Sequence, residues 1–163
     1  MAPPELPWVT QLQELADQTG EGVRRPCRDL YPAILDDLGL RAALAWLAES
    51  WGARGPACTF ESSGQERRLD PEVEIELFRI AQEALSNSWK HSRARQVSLQ
   101  LHYLSEGIQV RIRDDGQGFA THRSTRMGLV NMRERALLIG ADLIITSAPH
   151  QGCSVALSWQ QEG

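Results

Sequence analysis

The chain has 163 residues, a length that fits one domain with a short appendage. Lys and Arg number 17 against 21 Asp and Glu, and the net charge of −4 argues against binding nucleic acid through phosphate neutralisation. Apolar residues make up 42%, which excludes global disorder, and no apolar stretch reaches the roughly 20 residues of a membrane span, so we expect no direct membrane contact. Cys27, Cys58 and Cys153 lie far apart and predict free thiols.

The N-terminal part of the chain predicts two helices and a connector. Apolar residues recur with a helical period over residues 7–30, where two glycines and a proline predict fraying or a kink. Residues 30–40 are interpreted as a packed connector. A second helix follows at about 40–52, and residues 57–62 predict a short strand.

The helix predicted at 71–90 has the strongest pattern, and the Asp-Pro pair at its start supplies an N-cap and a first-turn proline. One broad side is apolar, and the other is typical of a solvated face. Asn87 is a poor helix former at mid-helix, however, and it lies one turn after Glu83 and one turn before His91. Together with Lys90, these side chains could hold a hard cation and phosphate oxygens.

The C-terminal part of the chain predicts two strand pairs around a third helix. The expected segments are strands at 97–103 and 108–113, a loop at 116–127, a helix at 128–139 with Gly140 as C-cap, and strands at 143–147 and 154–159. Strands clustered late with helices between them predict an α+β sandwich, with one sheet covered by helices on one face.

A second cluster of polar and glycine residues follows the 108–113 strand directly. Asp-Gly is a common turn signal, but residues 120–127 show no pattern of a partner strand. Gly116 and Gly118 would let the backbone approach a flat ligand, and Asp114 can accept a hydrogen bond from an exocyclic amine.

Two further glycines begin later elements. Gly128 begins a helix, where free backbone N–H groups and the helix dipole make an anion site, although an ordinary helix start explains it equally well. Gly152 and Cys153 lead into the last strand and, taken alone, indicate a turn.

In their order along the chain, these stretches resemble the boxes of the histidine-kinase-type (GHKL) ATPases, which include type II topoisomerase, Hsp90-class and MutL-class ATPases. Residues 79–91 resemble the asparagine box, 114–119 the first glycine box and 128–135 the second. Residues 30–40 resemble the junction between dimerisation helix and ATPase domain in sensor kinases that serve NarL/LuxR-type response regulators.

The resemblance implies a Bergerat-type fold, a two-layer α/β sandwich whose mixed sheet is covered by helices on one face. Residues 1–38 would be the tail of the dimerisation helix and a linker, and 39–163 the ATPase domain. The implied function is the cytoplasmic catalytic domain of a two-component sensor histidine kinase, whose parent protein could be membrane-anchored. It would position MgATP for phosphoryl transfer to a histidine on a dimerisation domain absent from this chain, and then to a LuxR/NarL-type response regulator. Because no phosphoacceptor motif occurs, we expect ATP binding without autophosphorylation by this chain alone.

The resemblance also implies a role for each box residue. Asn87 would coordinate Mg²⁺ between the phosphates, and Glu83 would orient or polarise the attacking group and reach the metal through a water. Lys90 and His91 would approach phosphate oxygens. Asp114 would accept the adenine N6 amine. The glycines of the first box, Gly116 and Gly118, would allow close nucleotide packing.

The third and fourth stretches complete the implied site. Residues 120–127 would form a short mobile lid, with Gly128 and Leu129 at its hinge beside the phosphates. Cys153 stands where the family usually has threonine, and a thiol is a weaker hydrogen-bond partner. We therefore expect reduced ATP affinity unless Ser154 compensates.

Two other functions are compatible with these residues. A stand-alone GHKL protein serine kinase and anti-sigma factor would explain the missing phosphoacceptor histidine, but it would leave the 30–40 junction without a purpose. A degenerate module that only docks partners is favoured by Cys153.

Overall fold

The computed structural model describes residues 31–120 and 126–161, so the helix expected at 7–30 lies outside it. Its elements are α1 (Tyr31–Gly52), β1 (Ala57–Ser63), α2 (Pro71–His91), β2 (Gln96–Tyr103), β3 (Gly107–Asp114), α3 (Met127–Leu138), β4 (Asp142–Ser147) and β5 (Cys153–Gln160). Within those two ranges, no helix combines the length and the apolar character that crossing a membrane requires.

The five strands form one mixed sheet in the order β1-β2-β3-β5-β4. β1 and β2 are parallel, and the other neighbours are antiparallel. Leu99, Ile112 and Val155 lie side by side across the central strands and are buried beneath the helices. Arg111 and Arg113 alternate with the buried positions of β3 and are exposed on the opposite face. The predicted α+β two-layer sandwich is therefore confirmed.

The core lies between this sheet and the three helices. Leu44 of α1, together with Leu77 and Ile80 of α2, is fully buried. Burying a side chain of this size stabilises the fold by about 1.5–3 kcal/mol. These contacts set the position of α2, whose last turns reach the edge of the sheet where β3 ends and β5 begins.

The interpretation of residues 30–40 as a connector is wrong, because the chain is helical from Tyr31 onward. Pro32 lies in the first turn, where a proline removes no helical hydrogen bond. The helix is interrupted at Gly39, whose φ of 85° and ψ of 178° belong to a region that essentially only glycine occupies. A sharp kink thus replaces the expected connector.

Arg68, in the loop between β1 and α2, holds the helical segment before the kink. Its guanidinium donates to the carbonyl oxygens of Leu35 and Asp36, both at 3.0 Å. The same group pairs with both oxygens of Glu74 at 3.2 and 3.1 Å, and Glu74 also accepts from the Leu69 N–H at 3.0 Å. Glu74 is only 1% exposed, so Arg68 joins a buried carboxylate of α2 to the last carbonyls of the first α1 segment.

The other predicted elements are confirmed with small shifts at their ends. Asp70 caps α2 by accepting from the Glu72 N–H at 3.0 Å. α3 begins at Met127, one residue earlier than expected. It ends at Leu138, and the chain turns at Gly140, where φ is +65° and the N–H of Ala141 donates to the Ala136 carbonyl at 2.9 Å.

Candidate functional site

An open cleft lies between α2, α3 and the adjoining ends of β3 and β5. Of the predicted site residues, six line it: Asn87, His91, Asp114, Gly118, Leu129 and Cys153. Its wall also includes apolar side chains from four elements: Ala84, Ile112, Met132 and Val155. An apolar wall with a few polar groups is typical of a small-molecule site and suits a flat ring.

Asp114 is the most deeply buried polar group of the cleft, with 4% of its surface exposed. One carboxylate oxygen accepts from the Ser88 hydroxyl at 2.8 Å, and the other accepts from the Gly116 N–H at 2.9 Å. An ionised carboxylate has about four acceptor positions, so two remain for a ligand. Sequence reasoning missed Ser88, although it directly follows Asn87 and lies one turn after Ala84.

The loop that carries Gly116 and Gly118 packs closely against the backbone of neighbouring segments. A Cβ at Gly116 would lie 2.3 Å from the Ser92 carbonyl oxygen, and one at Gly118, where φ is +61°, would lie 2.0 Å from that of Ala148. The Gln117 side chain donates to the His91 carbonyl at 2.7 Å. Both glycines therefore allow close packing of the loop against its neighbours, and Gly118 alone of the two lines the cleft.

Glu83, Asn87 and Gly128 meet where α3 begins. A Cβ at Gly128 would lie 2.2 Å from Glu83 Oε1 and 3.3 Å from Asn87 Nδ2. Further along the same helices, Arg135 pairs with Glu76 at 2.8 Å. The polar side of α2 is thus packed against α3 here, and the alternative of a solvated face does not hold for this stretch.

The start of α3 has no side-chain cap. Its N-cap residue, Arg126, makes no side-chain capping hydrogen bond to the first turn. The first N–H groups of a helix lack partners inside the helix and lie at the positive end of its dipole. Asn87 and Glu83 supply the amide and carboxylate oxygens that a hard cation prefers beside a bound anion. In the described part of the chain, no three His, Cys, Asp or Glu side chains group closely enough to hold a metal by themselves.

Two basic residues assigned to phosphate contact differ in position. His91 is exposed and lines the cleft at the end of α2. Lys90 is exposed and does not belong to the lining. The lid expected at 120–127 lies largely outside the described residues, since 121–125 are not included.

Cys153 lines the cleft beside Asp114. Burial, and to a smaller extent the charge of Asp114, raises the pKa of its thiol to about 11, so the thiol is protonated at neutral pH. Ser154 cannot take its place at the ligand, because neighbouring residues of a strand point to opposite faces and Cys153 and Val155 face the cleft. The hydroxyl that forms a hydrogen bond with the Cys153 thiol belongs to Ser147. Sequence reasoning missed this residue.

Arg126 and Phe119 are two further lining residues that sequence reasoning did not select. The guanidinium carbon of Arg126 lies 5.1 Å from the centre of the Phe119 ring. Phe119 directly follows Gly118, and Arg126 lies two residues before Gly128. Their positions beside these glycines are the sequence signal that could have identified them.

The fold and this site define an ATP-binding domain, and the comparisons with known proteins agree. Residues 72–163 match the family described as histidine kinase-, DNA gyrase B- and HSP90-like ATPases, and the chain belongs to that family. The relative DegS of Brevibacillus brevis, a signal transduction histidine-protein kinase/phosphatase, is 32% identical over 92% of this chain and 40% of its own length. The sensor protein VraS of Staphylococcus saprophyticus is 41% identical over 56% of this chain and 27% of its own length.

The fold has a solved counterpart in the histidine kinase domain of the Erythrobacter litoralis EL346 blue-light activated histidine kinase. The TM-score is 0.60 at 21% identity, over 74% of this chain and 64% of that one. This chain spans less than half the length of DegS and VraS. These relatives identify it as the ATPase domain of the sensor histidine kinase type and give no support to the stand-alone serine kinase.

Proposed function

We propose that the cleft binds MgATP and that this domain delivers the γ-phosphoryl group to a histidine on a dimerisation domain of the whole protein. One observation carries the proposal: four stretches separated in sequence meet around a single cleft. Asp114, a buried carboxylate, lines the cleft, and so does Asn87, whose amide lies with the Glu83 carboxylate beside the start of α3.

The adenine is assigned to the buried end of the cleft. There the N6 amine donates to Asp114, and the ring packs against the wall that includes Ile112 and Val155. A buried acceptor left without its donor costs about 1–3 kcal/mol, so this contact favours adenine over a base that lacks the amine.

The phosphates are assigned to the end where α3 begins. The first N–H groups of α3 and His91 would donate to the phosphate oxygens, and Lys90 would approach them. Asn87 and Glu83 are the residues that would hold Mg²⁺, and Glu83 would orient the attacking imidazole. Mg²⁺, when bound, neutralises charge that develops on the transferred group. Phosphoryl transfer depends mainly on such positioning and charge compensation, which these side chains provide.

The proposal extends to the whole protein. Residues 1–38 serve as the tail of a dimerisation helix and a linker, and 39–163 as the catalytic domain. A domain boundary at this point is supported by the kink at Gly39 and by the hydrogen bonds from Arg68 to the helical segment before it. The phosphoryl group passes onward to a LuxR/NarL-type response regulator. Because ATP and such regulators are cytoplasmic, we place this domain in the cytoplasm.

Titration calorimetry with MgATP tests the proposal directly. We expect Asp114→Asn to weaken binding by about 1–3 kcal/mol, because an acceptor facing the adenine amine becomes a donor. Asn87→Ala is expected to weaken binding in Mg²⁺ more than in its absence. Asp142→Asn, which changes an exposed carboxylate of β4, is the matched control. Absence of binding by the unmodified domain, or an unchanged affinity of the Asp114 variant, would contradict the proposal.

A further inference from the structure

A second cavity lies on the face of the sheet that the helices leave uncovered. It is formed where β1 and β2 begin and β3 ends, beside the turn that joins β4 to β5. Asp114 borders both this cavity and the cleft, and its carboxylate is bonded on the helix side, so the main chain at the end of β3 separates the two. The polar side chains that line it include Thr59, Ser98, Arg113, His150 and Gln151.

Three of these residues form a row across the strands. Ser98 of β2 lies beside Thr59 of β1 on one side and beside Arg113 of β3 on the other. Residues paired in this way point to the same face of a sheet, and neighbouring strands are about 4.8 Å apart. The row therefore places two hydroxyl groups next to an arginine on the open face.

Arg113 has donors to spare. Its side chain is exposed, and within residues 31–120 and 126–161 its guanidinium takes part in no ion pair or hydrogen bond. The acidic residue of the cavity, Asp115, is occupied by β2, since one of its oxygens accepts from the N–H groups of Arg95 and Gln96 at 2.8 and 3.0 Å. These two donors and the charge of Arg95 offset the negative charge of Asp115.

The donors of the cavity come from several sides. Hydroxyl groups belong to β1 and β2, a guanidinium to β3, and an imidazole and an amide to the turn. A carboxylate presents two oxygens in one plane, whereas a phosphate group presents at least three in a tetrahedral arrangement. The planar fork of an arginine binds two oxygens and leaves the others to the neighbouring donors. A phosphate group thus uses more of these donors than a carboxylate does.

We propose that this second cavity is a binding site for a phosphate group. Arg113 is its anchor, and the hydroxyl groups of Thr59 and Ser98 are further donors. The site lies on the opposite face of the sheet from the cleft to which the nucleotide is assigned. The inference therefore does not depend on nucleotide binding, and it holds or fails separately from the proposed function.

The test follows the amide signals of the whole chain by NMR during a titration with inorganic phosphate at constant ionic strength. Phosphate in the second cavity should shift the signals of Ser98, Arg113 and Gln151 in a saturable manner. Phosphate that enters the nucleotide cleft would instead shift Gly128 and Leu129. Shifts confined to those two residues would overturn the inference.

Variants test the assigned donors. Arg113→Gln should weaken phosphate binding about tenfold or more, and Ser98→Ala should weaken it about threefold. The matched control is Arg111→Gln, because Arg111 is exposed on the same face of the same strand and does not line the cavity. This control should leave phosphate affinity unchanged within about twofold, and the melting temperature of each variant shows whether it remains folded. Equal weakening by Arg113→Gln and Arg111→Gln would refute a specific site.

Two further probes define the ligand. Acetate should bind several-fold more weakly than inorganic phosphate, and equal affinity would mean that the cavity does not select phosphate. O-phosphoserine should bind at the same amides if the natural ligand is a phosphorylated side chain or another monoester. Binding of inorganic phosphate without O-phosphoserine would identify the free ion as the ligand.

Discussion

The ion pair between Arg68 and Glu74 allows a quantitative prediction of stability. In the variant Arg68→Met, the Glu74 carboxylate remains 1% exposed and keeps only the Leu69 N–H as a partner. Removing one partner of a buried pair costs about 3–5 kcal/mol. The Arg68 side chain is 52% exposed, so solvent screens its charge and the lower end of that range applies. We expect a loss of about 3 kcal/mol in the free energy of unfolding.

Urea unfolding followed by circular dichroism measures this loss. A chain of this size loses roughly 2–4 °C of melting temperature per kcal/mol, so the variant should melt about 6–12 °C lower. The double variant Arg68→Met/Glu74→Leu should recover most of the loss, because the unpaired carboxylate is gone. Arg41→Met is the control, since it breaks the exposed Arg41–Glu66 pair and should cost less than about 1 kcal/mol. A loss below about 1 kcal/mol for Arg68→Met, or a double variant with additive losses, would refute the reasoning.

Three further predictions concern the cleft and the thiols of Cys58 and Cys153. Gly128→Ala places a Cβ 2.2 Å from Glu83 Oε1 and should weaken MgATP binding at least tenfold in calorimetry. The control Asn131→Ala, on the exposed side of the same helix, should leave the affinity unchanged. Equal affinities of the two variants would contradict the packing of Gly128 against Glu83. Burial raises the pKa of Cys58 and of Cys153 from 9.0 to about 11, so the folded state holds these protons more tightly; their stabilisation is complete below about pH 9 and is lost toward pH 11. The melting temperature should therefore fall over this range, and less so in Cys58→Ala; the same fall in the variant would be evidence against this cause. Alkylation of Cys153 should be slow at pH 8, and its rate should rise about tenfold per pH unit. Bound ATP should suppress it. Mass spectrometry of the modified peptide measures the rate, and absence of protection by ATP would place the nucleotide elsewhere.

The parts of the site that lie within one element could be predicted from sequence. The helical period of α2 shows that Glu83, Asn87 and His91 share a side, and Asp114 directly follows a regular strand. The role of Glu74 could not be predicted, because its partners, the Arg68 side chain and the Leu69 N–H, both lie in a loop, and Arg68 is in turn bonded to carbonyls of α1. The helical wheel does place Glu74 on the apolar side, and a charge there was the available signal.

What could not be predicted from sequence has one physical origin, the packing of elements that are distant along the chain. Residues 30–40 were interpreted as a connector because they contain Pro32 and Gly39, whereas the structure is helical there and Arg68, distant in sequence, holds the Leu35 and Asp36 carbonyls. The contact of α3 with the polar side of α2 could not be predicted, because the sequence does not show which elements pack together. Whether Ser154 could compensate for Cys153 depends on which side chains of β5 face the cleft. That became clear only once the structure showed that β5 begins at Cys153.

α2 carries the clamped Glu74 in its first turn and Asn87 in its last turns. Thirteen residues separate the two, which corresponds to about 20 Å along one uninterrupted helix. A helix of this length is stiff, with its first turn held by Arg68 and its last turns at the cleft. A tilt of the segment that precedes Gly39 would therefore be transmitted through the Arg68 side chain and along α2 to Asn87, the residue proposed to hold the metal.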